Sequence, residues 1–410
     1  MGTGAARLKT SIGYEEALAL ALATARTVET ETIALDDALG RVAAAGMTAP
    51  FDLPGFANSA MDGYAVRGAD LPAVPVGETA FVLRGQLLAG DVTTRPLRAG
   101  EAVAIMTGAM MPPGADTVVI REHTRVDGDR VYLRTGTRVG ANVRAHDDDV
   151  SAGQAVLARG ERLSPARLAV LASFGLREIT VHRRVRAAVL TTGDELVAPG
   201  QPLPPGHRYD SNGILLANLL AGAGVDCVAR DTCKDDPQQL HAMLARLSSQ
   251  ADIVLTSGGV SAGVADHLPQ VISAFGSIMF WKVRMKPGMP VLCAQLGSSL
   301  VFGLPGNPVS AGVVFRTLVQ PVLDVLAGAE PASRNEGWAV LSQPWSKTHG
   351  RLEFLRVRVE CASDCTWQAT PLPHQGSGAL SRLADANALA ILPEGAREWR
   401  AGEQVEIIRL

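Results

Sequence analysis

The sequence predicts a multidomain chain of α/β plus β architecture, with a parallel-type sheet covered by helices on both faces as its central piece. Three observations predict it. From residue 183 to 328 apolar runs alternate with helical ones, the pattern of a parallel sheet buried on both sides. Short β-rich runs broken by Gly, Pro and Asp fill the stretch from Pro54 to about residue 145, and short strands return after Gly337. Helical signals stand on both sides of the first β-rich block, so that block reads as an insertion into another domain.

The elements follow in order. YEEALALALATA (14–25) has high helix propensity, and LDDALGRVAAA (35–45) is expected to form a second helical piece. GYAV, FVLRG, AVAIM, DTVVIRE and RVYLR are the expected strands of the insertion. LSPARLAVLASFGL (163–176) is the next helix, with Ser164 as cap, Pro165 in the first turn and Gly175 as stop. VRAAVLTT, ADIVLTS and LVFGL are buried strands, the first followed by a helix from about Ser211 to Ala223 and the last by a long one. AEPASRNEG is a plausible linker, and FLRVRVE, LAILPEG and QVEIIRL suggest a terminal small barrel or sandwich.

Composition excludes several function classes. A length of 410 residues suits about three domains. The 42 glycines and 24 prolines exceed the average share and imply many shaped loops. A net charge of −3 leaves no footprint for nucleic acid, and 4% aromatic residues leave no base-stacking platform. Five scattered cysteines without a CxxC argue against a disulfide framework or a zinc site and fit a reducing cytosol. MGTGAARLKT lacks a signal-peptide core, and no apolar run approaches the ~18 residues of a membrane span. A soluble cytoplasmic protein is expected.

Three strands of the α/β region run into unusual loops: TTGDEL (191–196), TSGGVSAGVAD (256–266) and GLPGNPVSAG (303–312). In open parallel sheets ligands bind beyond the carboxyl ends of the strands, so all three should gather at one edge. Taken singly, each is an ordinary βα turn; together, with polar or acidic tips, they suit an anion such as phosphate. Asn307 is a good N-cap and Pro308 is preorganised for the first turn of a helix whose N–H groups attract phosphate. Glu195 and Asp266 beside such loops imply a bridging divalent cation, most often magnesium. Asp235 and Asp236 before a Pro-started helix read first as capping residues. Lys282, Arg284 and Lys286, at a spacing of two, would share one face of a strand and suit an anionic ligand, or else guard a sheet edge. Asp62 alone is as much a turn residue as a catalytic one. HDDD (146–149) reads as a solvated acidic turn, and His267 lacks a second histidine at ligand spacing. Neither GxxxxGKS/T nor GxGxxG occurs, which removes a P-loop kinase or a Rossmann dehydrogenase.

NSAMDGYAV, IMTGAMMPPGADTVV, TTGDEL, YDSNG, the DDP turn, TSGGVSAGVAD, FWKVRMKPGMP, GLPGNPVSA and HQGSG, in that order along nearly the whole chain, resemble the molybdopterin molybdenumtransferases. This is the MoeA family, which includes the E-domain of gephyrin. The resemblance implies four parts: a discontinuous helical stem region (11–50 and 147–182), an inserted β-rich domain (51–146), an α/β molybdopterin-binding domain (183–328) and a C-terminal small β-barrel (329–410). It implies a homodimer whose active cleft lies at the subunit interface, between the α/β domain of one subunit and the β insertion of the other. It also implies contact with the molybdopterin adenylyltransferase and molybdenum apoenzymes, and no nucleic-acid or membrane partner. The implied reaction takes molybdate and adenylated molybdopterin, inserts molybdenum, cleaves the adenylate with Mg2+ and releases AMP and molybdenum cofactor.

Carried over by motif, the catalytic residues are Asp62, Thr107, Glu195, Asp235 and Asp266, with Glu195 and Asp266 expected to hold the metal or to orient the pyrophosphate and molybdate. Substrate would be bound by Ser257, Gly258, Gly259, Ser261, Lys282, Lys286, Pro305, Gly306, Asn307, Pro308, Arg356 and Ser377. Three departures stand out: Ala57 where the family commonly has an aspartate, Met289 where a lysine often follows KPG, and Met110–Met111 in place of smaller residues. Two other readings compete, a gephyrin-like scaffold and the preceding adenylyltransferase step. All four acids of the motifs are present, which disfavours the scaffold; the β insertion and terminal barrel disfavour the adenylyltransferase.

Overall fold

The computed structural model describes residues 9–72, 77–134, 136–261, 266–331 and 336–410. They fall into two compact units, one of Met1–Ala45, Arg159–Pro165 and Glu178–Leu410, the other of Gly46–Ala158 and Ala166–Arg177.

The first unit is built on a seven-stranded sheet in the order Asp226–Cys233, Arg186–Thr192, Ile253–Ser257, Ser299–Leu304, Leu292–Leu296, Ser277–Val283 and Lys9–Ile12. The first four strands are mutually parallel. Leu292–Leu296 runs against both its neighbours because a two-residue turn joins it to Ser299. Gly297 opens that turn at φ +59, a conformation glycine adopts without a steric cost. Alternation along Arg186–Thr192 sends Ala187 and Val189 into one core and Ala188 and Leu190 into the other. Helices Tyr14–Thr24, Ser211–Gly222 and Pro308–Leu326 cover the first face, and Pro237–Ser248 and Leu268–Phe275 the second. Fully buried side chains such as Leu190 and Phe302 stabilise this sandwich by about 1.5–3 kcal/mol each.

Two expectations are corrected here. LDDALGRVAAA forms only the 3-10 turn Leu35–Asp37; Val42 and Ala43 are extended and bridge Arg162 and Val181. Cross-chain pairing overrides local helix propensity there. Pro308–Leu326 is long and apolar enough to match a membrane span, although no such run was expected. Arg316, Gln320 and Asp324 interrupt it in the sequence, while the helix continues through a π-turn at Phe315–Val319. With 83% of it buried, it is the central core helix of the unit.

Strands Leu352–Cys361, Trp367–Pro371, Trp338–Leu341, Gln404–Arg409 and Ala388–Leu392 form a closed five-stranded barrel, because the first also pairs with the last. Met285–Lys286 joins this barrel as a short parallel strand beside Leu352–Glu353. The second unit holds a six-stranded sheet in the order Thr117–Ile120, Gly63–Val66, Glu101–Ile105, Glu78–Leu87, Arg130–Arg134 and Thr124–Asp127. Its helix, Pro165–Ser173, starts at the expected proline and stops short of Gly175.

Candidate active site

Parallel pairing sets Thr191 beside both Ser257 and Thr232, and Ser257 beside Leu304, so the loops after these strands leave one edge of the sheet together. A cleft of about 270 Å³ opens there, lined by Thr192, Glu195, Asn212, Ser257, Gly306, Asn307 and Pro308 among others. Gly258 leaves no room for a side chain beside Thr192, and a Cβ on Gly306 would lie 3.7 Å from the Gly258 Cα. Ser257 Oγ donates to Pro305 O at 3.3 Å, which ties the second loop to the third.

Three carboxylates gather beside this cleft. The Asp235 N–H reaches Asp194 Oδ1 at 3.4 Å, and Arg208 stands 3.9 Å from Glu195. Partial burial, then the negative charges of Asp194 and Glu195, push the Asp235 carboxyl above its ordinary range. The DDP turn thus divides its labour. Asp236 caps helix Pro237–Ser248 by accepting from Gln239 N at 2.7 Å, while Asp235 faces the acids. Asp266 is half-buried, Ser261 is exposed, and the stretch between them, 262–265, lies outside the described residues. Among the described residues no three His, Cys, Asp or Glu side chains form a ready-made chelate.

Asp62 and Thr107 come together in the second unit. Pairing of Gly63 with Ile105 brings the ends of their strands side by side. Asp62 Oδ1 accepts the Thr107 N–H at 2.8 Å and its hydroxyl at 2.9 Å, and these bonds hold the carboxyl below its usual range.

Several side chains stand apart from their expected places. Lys282, Arg284 and Lys286 share no common face. The strand ends at Val283, and Lys282 has φ +67 and lies over the Trp281 ring at 4.5 Å. Arg284 donates to Ser11 O and pairs with Glu394, and Lys286 pairs at 2.9 Å with the buried Glu353 of the barrel. Asn307 occupies the N-cap position without capping; its amide donates to Ser377 Oγ at 2.9 Å instead. Ser377 O takes the Val309 N–H at 3.2 Å, so the HQGSG loop already occupies part of that helix end. Arg356 is 1% exposed and donates to Gln375 Oε1 and to the carbonyls of His374, Gly376 and Ala379. It holds this loop from beneath rather than lining the cleft. A larger cavity of about 590 Å³, floored by Trp338 and Trp399, is lined by Arg284 and Glu394 but by no other of these residues.

Comparison with known proteins bears on the whole length. Residues 12–175 match the "MoeA N-terminal region (domain I and II)", 188–325 the "Probable molybdopterin binding domain" and 339–410 the "MoeA C-terminal region (domain IV)". A Mycobacterium tuberculosis protein named molybdopterin molybdenumtransferase 2 is 38% identical, over 92% of this chain and 94% of its own. The Haemophilus influenzae molybdopterin molybdenumtransferase is 35% identical, over 92% and 93% respectively. The chain belongs to the molybdopterin molybdenumtransferase family. A solved molybdopterin biosynthesis MoeA protein from Pyrococcus horikoshii is similar at 31% identity with a TM-score of 0.79, covering 97% of this chain and 98% of its own.

As a member of the molybdopterin molybdenumtransferases the chain is a transferase of molybdenum cofactor biosynthesis, and kinship at full length favours that reading over a scaffold or an adenylyltransferase. Some site residues were missed by sequence reading. Asp194 crowds Asp235, Asn212 bonds two loops, and Trp281 Nε1 donates to Val260 O at 2.8 Å, fastening the glycine loop. Asp194 and Asn212 stood inside the quoted TTGDEL and YDSNG motifs, and that was the signal available.

Proposed function

We propose that this chain inserts molybdenum from molybdate into adenylated molybdopterin, cleaving the adenylate and releasing AMP and molybdenum cofactor. The observation that carries the reading is the edge of the parallel sheet, where glycine loops and a Pro-started helix meet a group of carboxylates. In this reading the Ser257–Gly259 and Pro305–Pro308 loops hold the pyrophosphate. Lys282 supplies positive charge beside the glycine loop, Lys286 does so from the barrel junction, and Ser377 closes the cleft over Asn307.

The reading includes a divalent cation, Mg2+. Asp194, Glu195 and Asp235 offer hard oxygen ligands, and Asp235 is held against its own ionisation first by partial burial and then by the other two charges, the part a cation would relieve. Glu195 and Asp266 would hold it or orient the pyrophosphate and molybdate; bound, it would neutralise charge on the pyrophosphate. Asp235 orients the substrate, and Asp62, kept ionised by Thr107, provides a fixed anion. The resemblance adds a cytoplasmic homodimer in which Asp62 and Thr107 of one subunit serve the cleft of the other. It also adds contacts with the adenylyltransferase and molybdenum apoenzymes, and the four-part division at residues 50, 146, 182 and 328.

Glu195→Ala and Asp266→Ala test this. Both variants should fold, yet fail to activate a molybdenum apoenzyme from adenylated molybdopterin and molybdate. Full turnover by both would contradict the reading. Mixing Asp62→Ala with Glu195→Ala subunits should restore activity if the cleft is shared between subunits, and no restoration would rule that arrangement out.

A further inference from the structure

YDSNG (209–213) leads into helix Ser211–Gly222. We propose that Asn212 is a positioning residue that clamps the second and third loops of the cleft to each other, an inference that rests on the proposed reaction. Asn212 stands in the first turn of helix Ser211–Gly222. That helix start is fixed by Asp210, which accepts from Gly213 N at 2.9 Å and from Thr191 Oγ1, at the end of a parallel strand, at 2.9 Å. From this anchored place Asn212 Nδ2 donates to Ser257 Oγ at 2.8 Å and to Gly306 O at 2.8 Å.

The chemistry sets the direction of every bond. Gly306 O only accepts, so the amide nitrogen must face it. A primary amide has two hydrogens on one nitrogen, enough for both partners. Ser257 Oγ, having accepted, turns its own hydrogen to Pro305 O. One side chain thus links a loop after one strand to a loop after the next, and Asn212, Ser257 and Gly306 all line the cleft. Serine would offer one hydrogen and aspartate none. Asn212 Oδ1 is buried without a protein partner, so only the donor end of the amide is engaged by the chain itself.

The test uses the full-length protein carrying Asn212→Asp, which keeps the shape but removes both donors, and Asn212→Ala. Calorimetric affinity for AMP, molybdate-dependent AMP release from adenylated molybdopterin and the thermal midpoint are measured together. Both variants should bind AMP at least tenfold more weakly and lose at least tenfold in kcat/KM, with the midpoint close to wild type. Adding Ser257→Ala to Asn212→Ala should cost little more, because the two act as one link. AMP affinity and kcat/KM within threefold of wild type in both variants would overturn the clamp. So would failure of both to fold, or a lowered midpoint with unchanged AMP affinity, since either makes Asn212 merely structural. If the wild-type protein neither binds AMP nor releases it, the proposed reaction itself fails and takes the clamp with it.

Discussion

Gly258→Ala is the sharpest single perturbation of the cleft. A Cβ at this position would meet Thr192 Oγ1 at 2.6 Å and Thr192 O at 2.7 Å. The hydroxyl can rotate away, but the carbonyl is the end of strand Arg186–Thr192 and cannot. Gly258 also has φ +101, which costs a residue with a side chain about 1–3 kcal/mol. Overpacking against the carbonyl adds about 1–3 kcal/mol. The substitution should therefore destabilise the unit by about 2–6 kcal/mol, or, where the loop shifts to escape, convert part of that loss into lost activity. Gly306→Ala in the facing loop is the comparison: its nearest neighbour is 3.7 Å away, and its stability should stay within about 0.5 kcal/mol of wild type. Urea unfolding followed by circular dichroism, with AMP release assayed on the same preparations, reads both. A Gly258→Ala protein within about 0.5 kcal/mol of wild type and fully active would refute the packing argument.

Three further outcomes follow from the same geometry. Asp235→Asn removes a carboxylate whose folded pKa is raised, so wild type loses stability as pH climbs from about 3.8 through that raised value. The variant should lose this pH dependence and show a higher urea midpoint at pH 7 together with reduced turnover; an unchanged midpoint would contradict the crowding. Thr107→Val deletes the hydroxyl bond to Asp62, so carboxyl NMR should find Asp62 titrating closer to its ordinary 3.8. Because the folded pKa is depressed, the stability from this bond is present above pH 3.8 and lost as pH falls through the folded value; an unmoved titration would dismiss the bond. Arg356→Ala strands the carbonyls of His374, Gly376 and Ala379 and should cost about 2–4 kcal/mol in urea unfolding. Arg356→Lys should recover little of it, since an ammonium cannot reproduce the guanidinium fork; full recovery would mean that charge alone matters there.

Much of the site was readable because its signals are local. Apolar runs ending in glycine loops announce parallel strands, and parallel strands deliver their loops to one edge, as Thr191, Ser257 and Leu304 show. Asp235 and Asp236 looked alike as capping residues, and only the neighbouring Asp194 and Glu195 separate a crowded acid from a cap. The spacing of Lys282, Arg284 and Lys286 predicted a common face, but a strand's period holds only while the strand lasts, and it ends at Val283 before Met285–Lys286 joins the barrel. Arg356 reads as a binding arginine until its loop folds over it, and Asn307 reads as a cap until Ser377 arrives. Each partner lies far away in the chain, set by sheet register and barrel closure, which no local pattern encodes. Asn212 was hidden for the same reason: both its partners belong to other strands' loops.

The most direct test of the proposed reaction is the release of AMP from adenylated molybdopterin by the purified full-length protein, with and without molybdate. Release that requires molybdate and is lost in Glu195→Ala and Asp266→Ala is the predicted result. Release at the same rate without molybdate, or none under either condition, would contradict it.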